Sequence, residues 1–227
     1  MQDLQSNRSE LVPRLLAWGT TEEGWALAMT MCGSSLESGL ITGHLPRHST
    51  PAALVEQMIL CIQHVHSCGY IHCDIKPGNF CLSPSGEHLV LVDFGLAQAI
   101  KEVQAPHEFI GTIDFASVNA HRFRPLSKKD DLESIAYIFL HLVSQPPWMT
   151  DEFRQMQDQT RFAMSLGDFG PISQFIADVG VAKSSLLHGP DLARPELALL
   201  WYCTNLGAAE DPDYNRACRL VKGEKLR

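Results

Sequence analysis

The sequence predicts an α+β domain in which a small β-rich portion is set against a larger helical one. Two short extended segments lie near the start, and a run of short strands broken by turn residues occupies the middle. Apolar residues recur at helical spacing before and after that run. The 227 residues suffice for one compact core. With 45% hydrophobic and 19% charged residues, the composition is that of a globular chain and excludes disorder or collagen-like repeats.

Residues 12–18 and 25–31 read as two strands joined through turn residues 19–24, a hairpin. Thr50 followed by Pro51 is a helix start, with Thr as N-cap and Pro at the first helical position. Leu54, Met58, Ile62 and Val65 then recur on one helix face, with Val55 and Ile59 widening it, and Gly69 is the stop. Residues 69–72, 79–82 and 88–93 read as short strands, and Ser83-Pro-Ser-Gly-Glu87 is turn chemistry. Ser127 and Asp130 form a capping-box variant that opens another helix. Its body, residues 132–143, is apolar on nearly all sides, which places it at the domain centre. Two further helices are expected near 192–205 and 213–222.

A net charge of -8, from 18 Lys and Arg against 26 Asp and Glu, disfavours broad binding to nucleic acid or to an anionic membrane. No apolar run approaches the ~20 residues of a membrane-spanning helix. The N-terminus lacks the basic-then-apolar pattern of a signal peptide. The seven cysteines are odd in number and contain no C-x-x-C pair, so a reduced intracellular chain, cytoplasmic or nuclear, is expected. The ten histidines include no pair at ligand spacing with a carboxylate partner, and no zinc site is expected.

The chemistry lies in three pieces in fixed order: His72-Cys-Asp74-Ile-Lys76-Pro-Gly-Asn79, then Asp93-Phe-Gly95, then Gly111-Thr112. Phosphoryl transfer needs a carboxylate to orient a hydroxyl, a cation near the moving phosphate and oxygen ligands for Mg²⁺. Asp74 and Lys76 suit the first two tasks, and Asn79 and Asp93 suit the third. A second Asp-Phe-Gly, at 168–170, has no apolar strand before it and carries no expected function.

These pieces match the catalytic-loop and metal-binding signatures of protein kinases, and the chain resembles the casein kinase 1 family of serine/threonine protein kinases. Tyr70-Ile-His-Cys-Asp-Ile-Lys-Pro-Gly-Asn-Phe80 resembles that family's catalytic loop, and Val92-Asp-Phe-Gly-Leu-Ala97 its metal-binding segment. Gly111-Thr-Ile-Asp-Phe-Ala-Ser-Val-Asn-Ala-His121 is similar to its distinctive peptide, and Asp130-Asp-Leu-Glu-Ser134 and Asp211-Pro-Asp-Tyr214 to later family segments. The resemblance implies a protein kinase-like fold, a mainly α-helical C-lobe with a remnant β-hairpin of the N-lobe. On that division residues 1–29 are the hairpin, 30–33 the hinge and 34–227 the C-lobe. It implies transfer of the ATP γ-phosphate to Ser or Thr of protein substrates, with Asp74 as base, Lys76 as phosphate contact, and Asn79 and Asp93 as Mg²⁺ ligands. It also implies that Met29 backs the adenine pocket, the Cys32 backbone bonds the adenine edge and Cys81 lies under the ring. Asp131 would pin the catalytic loop, and His72 would pack against Phe94.

Departures from the pattern set further expectations. No Gly-x-Gly-x-x-Gly and no strand lysine precede the hinge, and the first lysine is Lys76. The sequence therefore reads as a kinase lacking most of its N-lobe, inactive or nearly so alone, with a partner supplying that lobe. The alternative is an inactive pseudokinase or fragment acting as a binding module. Cys73 replaces an arginine that normally receives an activation-loop phosphate, and no Ser, Thr or Tyr lies between Gly95 and Gly111. No phosphate switch is expected there, and Cys73 reads as structural. Gly78 replaces an acidic residue. Asp114 stands where the family carries an Arg, which predicts a weaker preference for phosphorylated substrates.

Overall fold

The computed structural model describes residues 10–43, 45, 49–188 and 191–224. In order these form β1 (Leu15–Thr21), β2 (Gly24–Met29), α1 (Leu36–Thr42), α2 (Pro51–Ser67) and β3 (Tyr70–Ile71). The elements β4 (Phe80–Leu82), β5 (Leu89–Leu91), β6 (Gln98–Ala99), α3 (Val118–His121) and α4 (Lys128–Val143) follow. The chain continues through α5 (Asp151–Ser165), α6 (Gly170–Ser185), α7 (Pro195–Asn205) and α8 (Tyr214–Val221). The strands make three separate antiparallel pairs: β1 with β2, β3 with β6, and β4 with β5.

The hairpin is where expected, but its turn is tighter. Thr21 pairs with Gly24, so Glu22 and Glu23 alone make the turn, and Gly24 takes φ 130°. The β-branched Thr20 and Thr21 extend the ladder into the stretch read as turn. At the other end β2 stops at Met29, after which Thr30 donates to the Arg14 carbonyl at 2.8 Å. The middle strands are likewise shorter than expected. Tyr70 and Ile71 pair with Ala99 and Gln98, Phe80, Cys81 and Leu82 face Leu91, Val90 and Leu89, and Asn79 belongs instead to the 3-10 turn Pro77–Asn79.

Helix α2 starts as its sequence dictates. Thr50 Oγ1 accepts from Ala53 N at 3.1 Å and Pro51 opens the first turn. The helix ends at Gly69, whose φ of 87° a side chain would resist. Its buried face, from Leu54 to Val65, packs on α4 and α8. Helix α4 is opened by Asp130, which accepts from Ser127 N at 2.8 Å. Every residue from Asp130 to Leu140 is buried, since α2 and α7 both pack against α4. Each buried Leu or Ile there contributes about 1.5–3 kcal/mol over exposure, so α4 is the post of the helical body.

Helices α7 and α8 match the expected regions, whereas α5 and α6 had no sequence assignment. In α5 Thr160 is the only buried residue, and Phe153, Met156 and Ala163 line the same face at helical spacing. The second Asp-Phe-Gly lies in the connection that enters α6 at Gly170. Among the described residues no helix is long and apolar enough to cross a membrane.

Candidate active site

The loop from β3 to β4 carries Asp74, Lys76 and Asn79, and Asp93 follows β5. Asp131, on the buried face of α4, fixes this loop. Its Oδ2 accepts from His72 N at 2.7 Å and its Oδ1 from Cys73 N at 2.9 Å. His66 on α2 lies 2.9 Å from Asp131 Oδ2 through Nε2, and its Nδ1 lies 2.6 Å from the Tyr214 hydroxyl. Burial alone would raise the Asp131 carboxyl, but His66, His72 and the amide donors hold it below its ordinary value. Cys73 is forced to φ 68° between these anchors, a left-handed conformation a non-glycine residue rarely adopts.

His72 is a second anchor. Its Nε2 lies 3.0 Å from the Val92 carbonyl, a pure acceptor, so Nε2 carries the proton and Nδ1 accepts from Asp74 N at 3.3 Å. Burial pushes its pKa down, against the pull of Asp131, Asp74 and Asp93. Its ring packs on Phe94 at 5.0 Å between centroids. One neutral imidazole thus ties the Asp74 loop to the strand that delivers Asp93.

The carboxylate of Asp74 is buried and fully engaged. Lys76 Nζ lies 2.8 Å from Oδ2, and Thr112 Oγ1 donates to Oδ1 at 2.7 Å. Asn79 Nδ2 donates to the Asp74 carbonyl at 2.8 Å, which leaves the amide oxygen as a donor for a cation. Asp93, at φ 63°, is exposed; its Oδ1 accepts from Gly95 N at 3.3 Å. Asn79 and Asp93 are joined through Val92 N, which donates to the Asn79 carbonyl at 2.9 Å. Two oxygen donors beside one open face fit Mg²⁺, which keeps several waters and takes one or two carboxylates plus phosphate oxygens. Among the described residues no group of three His, Cys, Asp or Glu side chains could hold a metal by itself.

One of the two glycines at the site is required by its surroundings. A Cβ at Gly111 would lie 2.9 Å from the Cys73 carbonyl, and φ is 104°, so Gly111 alone permits residues 111–116 to touch the catalytic loop. A Cβ at Gly78 would lie 2.9 Å from Glu37 Oε2, the tip of an exposed side chain that can swing away, so nothing in the structure requires glycine at 78.

The other candidate residues fall into place unevenly. The extended segment 33–35 zips onto β4, with Gly33 N donating to the Leu82 carbonyl at 2.8 Å and Leu82 N to the Ser34 carbonyl at 3.0 Å. Cys32 and Cys81 are thereby brought together: burial and then the neighbouring Cys32 raise the Cys81 thiol. Met29, at the end of β2, is exposed. Asp114 is half-buried; burial raises its carboxyl, opposed by Lys183, His141, Arg154 and Arg161. Two of these cations, Arg154 and Arg161, are supplied by α5.

Sequence reasoning missed the Thr112 bond to Asp74, the His66 relay and the buried Lys183. Thr112 stood in a recognised motif without a role, and His66 carried no signal, since its partners lie on α4 and α8.

The protein kinase domain family matches residues 1–182. A casein kinase 1-like protein, HD16, of Oryza sativa subsp. japonica is 30% identical over 93% of this chain and 30% of its own length. A probable casein kinase I homolog of Encephalitozoon cuniculi is 31% identical over 83% of this chain and 61% of its own. A probable serine/threonine-protein kinase of Dictyostelium discoideum is 38% identical over 53% of this chain and 28% of its own. The chain thus spans between about a quarter and three-fifths of these curated relatives. The pinned loop, the oxygen donors and these matches agree: the chain belongs to the protein kinase family and, within it, to the casein kinase 1 group.

Proposed function

We propose that this chain carries the transfer residues of a kinase that moves the γ-phosphate of ATP to Ser or Thr hydroxyls of protein substrates, acting once a partner supplies the Gly-rich loop and strand lysine that its sequence lacks. The observation that carries the reading is the Asp74 carboxylate, already hydrogen-bonded to an aliphatic hydroxyl at 2.7 Å and flanked by Lys76 at 2.8 Å. In this reading a substrate hydroxyl takes the place of Thr112 Oγ1 at Asp74 Oδ1. Asp74 orients that oxygen and receives its proton as the new O–P bond forms and the bridge to the β-phosphate breaks. Lys76 then moves its charge between Asp74 and the transferring phosphoryl group. Asn79 and Asp93 would hold Mg²⁺, which supplies charge neutralisation on the phosphate oxygens when bound. Cys32 and Cys81, brought together at the hinge, and Met29 would border the adenine. The seven free thiols suit a reducing compartment, and we place the activity in the cytoplasm or nucleus.

Asp74→Asn keeps the size and removes the proton acceptor. The expected outcome is a loss of phosphate transfer to dephosphorylated casein of about 10²–10⁴-fold with an unchanged melting temperature. Near-normal transfer by this variant refutes the assignment. ATP binding with no transfer by the wild type would favour the pseudokinase reading.

A further inference from the structure

Lys183 on α6 is completely buried, yet the transfer reaction does not use it. Its Nζ donates to the Ile113 carbonyl at 2.8 Å and the Ala116 carbonyl at 2.6 Å, and lies 3.2 Å from His121 Nε2. His121 Nδ1 lies 2.8 Å from the Ile176 carbonyl, closer than Nε2 lies to the Ile113 carbonyl at 3.2 Å, so the proton sits on Nδ1 and Nε2 receives the third ammonium hydrogen. The Tyr137 and Trp148 rings face Nζ at 4.6 and 5.2 Å and stabilise the charge. Close approach makes this possible: a Cβ at Gly180 would lie 2.8 Å from His121 Cβ, so only glycine lets α6 lie on α3.

The carbonyls held by Lys183 belong to the segment that touches Asp74. Thr112 reaches the Asp74 carboxylate, and its carbonyl accepts from Phe115 N at 2.9 Å and Ala116 N at 2.8 Å. Trp148 Nε1 donates to the Asp114 carbonyl at 2.8 Å. Residues 111–114 are only half-buried and border the approach to Asp74, so a peptide hydroxyl must pass along them.

We propose that Lys183 is a positioning residue that fixes residues 111–116 as the shelf on which a substrate peptide lies beside Asp74. This rests on Asp74 as the reacting carboxylate. Its partners are two carbonyls and an imidazole rather than a carboxylate, so they set backbone geometry directly and allow no loose ion pair.

Lys183→Met keeps length and burial while removing the donors. Expected are a roughly tenfold or greater loss of hydrogen-exchange protection confined to residues 111–118 and a roughly tenfold weaker Kd for dephosphorylated casein, measured without ATP. ATP affinity should stay within about twofold. Unchanged protection, loss spread evenly over α2 and α4, an unchanged casein Kd, or no casein binding by the wild type would each overturn the proposal. A wild type that binds casein through Lys183 supports the shelf whether or not it transfers phosphate, whereas near-normal transfer by Asp74→Asn sinks the catalytic reading of Asp74 and leaves the shelf standing. Should Lys183→Met not fold, the wild type decides at pH 6. A slowly exchanging lysine ¹⁵Nζ resonance coupled to the Ile113 and Ala116 carbonyl carbons supports the proposal, and fast exchange at every lysine overturns it.

Discussion

Cys73 occupies the position next to Asp74 where the resembled family carries an arginine, and its surroundings here are apolar. Its thiol sits among Ile71, Ala116, Ala120 and Leu126, an apolar cluster that would not receive a phosphate. Burial raises its pKa, and the nearby Asp131 and Asp130 raise it further. Cys61 is likewise pushed up to about 12 by burial. Thiolates are the reactive form, so iodoacetamide at pH 7.5 should leave Cys61, Cys73 and Cys203 unmodified in the folded protein, and mass spectrometry after digestion checks this. Rapid labelling of Cys73 would restore a redox role for it. At this scale the sequence spoke clearly wherever partners are close along the chain, as with Asp74, Lys76 and Asn79. It was silent on His66 and Asp131 as a pair, because only folding brings α2 to α4.

The hairpin is the element least satisfied by its environment. The alternation of β1 and β2 puts Leu16, Trp18, Trp25, Leu27 and Met29 on one face, and all are exposed, Trp18 at 57% and Trp25 at 75%. Trp18 and Trp25 stack at 6.0 Å but remain open to water. Exposed apolar faces of this kind drive association. The double variant Trp18→Ser, Trp25→Ser should shift sedimentation profiles toward monomer, lowering any self-association constant about tenfold or more. Identical concentration dependence in the variant would show that this face is not sticky. Helices α5 and α6 teach the converse lesson. Phe153, Met156 and Ala163 in α5 and Phe175, Ile176 and Val179 in α6 recur at helical spacing on the inner side, so periodicity discloses both helices, but it gives no sign that α6 supplies Lys183.

For the whole molecule, acid sensitivity has an identifiable contributor. Burial, then the Lys183 charge, push His121 down to about 3 from 6.5. A base with a depressed folded pKa binds fewer protons folded than unfolded between those values, so its contribution to stability falls as pH drops from about 6.5 to about 3. Raised carboxyls at Asp114, Asp130 and Glu133 act in the opposite sense, because each folded acid holds its proton to higher pH. The contribution is therefore isolated by difference. Across pH 6 to 4, the unfolding free energy of His121→Gln should fall less steeply with acid than that of the wild type, by up to one proton. Urea titrations at several pH values measure this, and parallel slopes would mean that His121 is protonated in the fold.

The sequence by itself determined the helical post, the capped start of α2, the hairpin and the order of the phosphoryl-transfer residues. Each rests on a local rule: apolar spacing, a Thr-Pro start, a capping box, or partners a few positions apart. The family resemblance already pointed to Asp131 as the pin of the catalytic loop, whereas tertiary structure alone decided that His66 backs Asp131, that Thr112 caps Asp74, and that Lys183 holds residues 113 and 116. It also decided that Glu37 lies against Gly78 and that Trp148 holds the Asp114 carbonyl. The physical reason is that a buried polar group must find partners wherever the fold brings donors and acceptors within about 3 Å. Separation along the chain places no limit on that search.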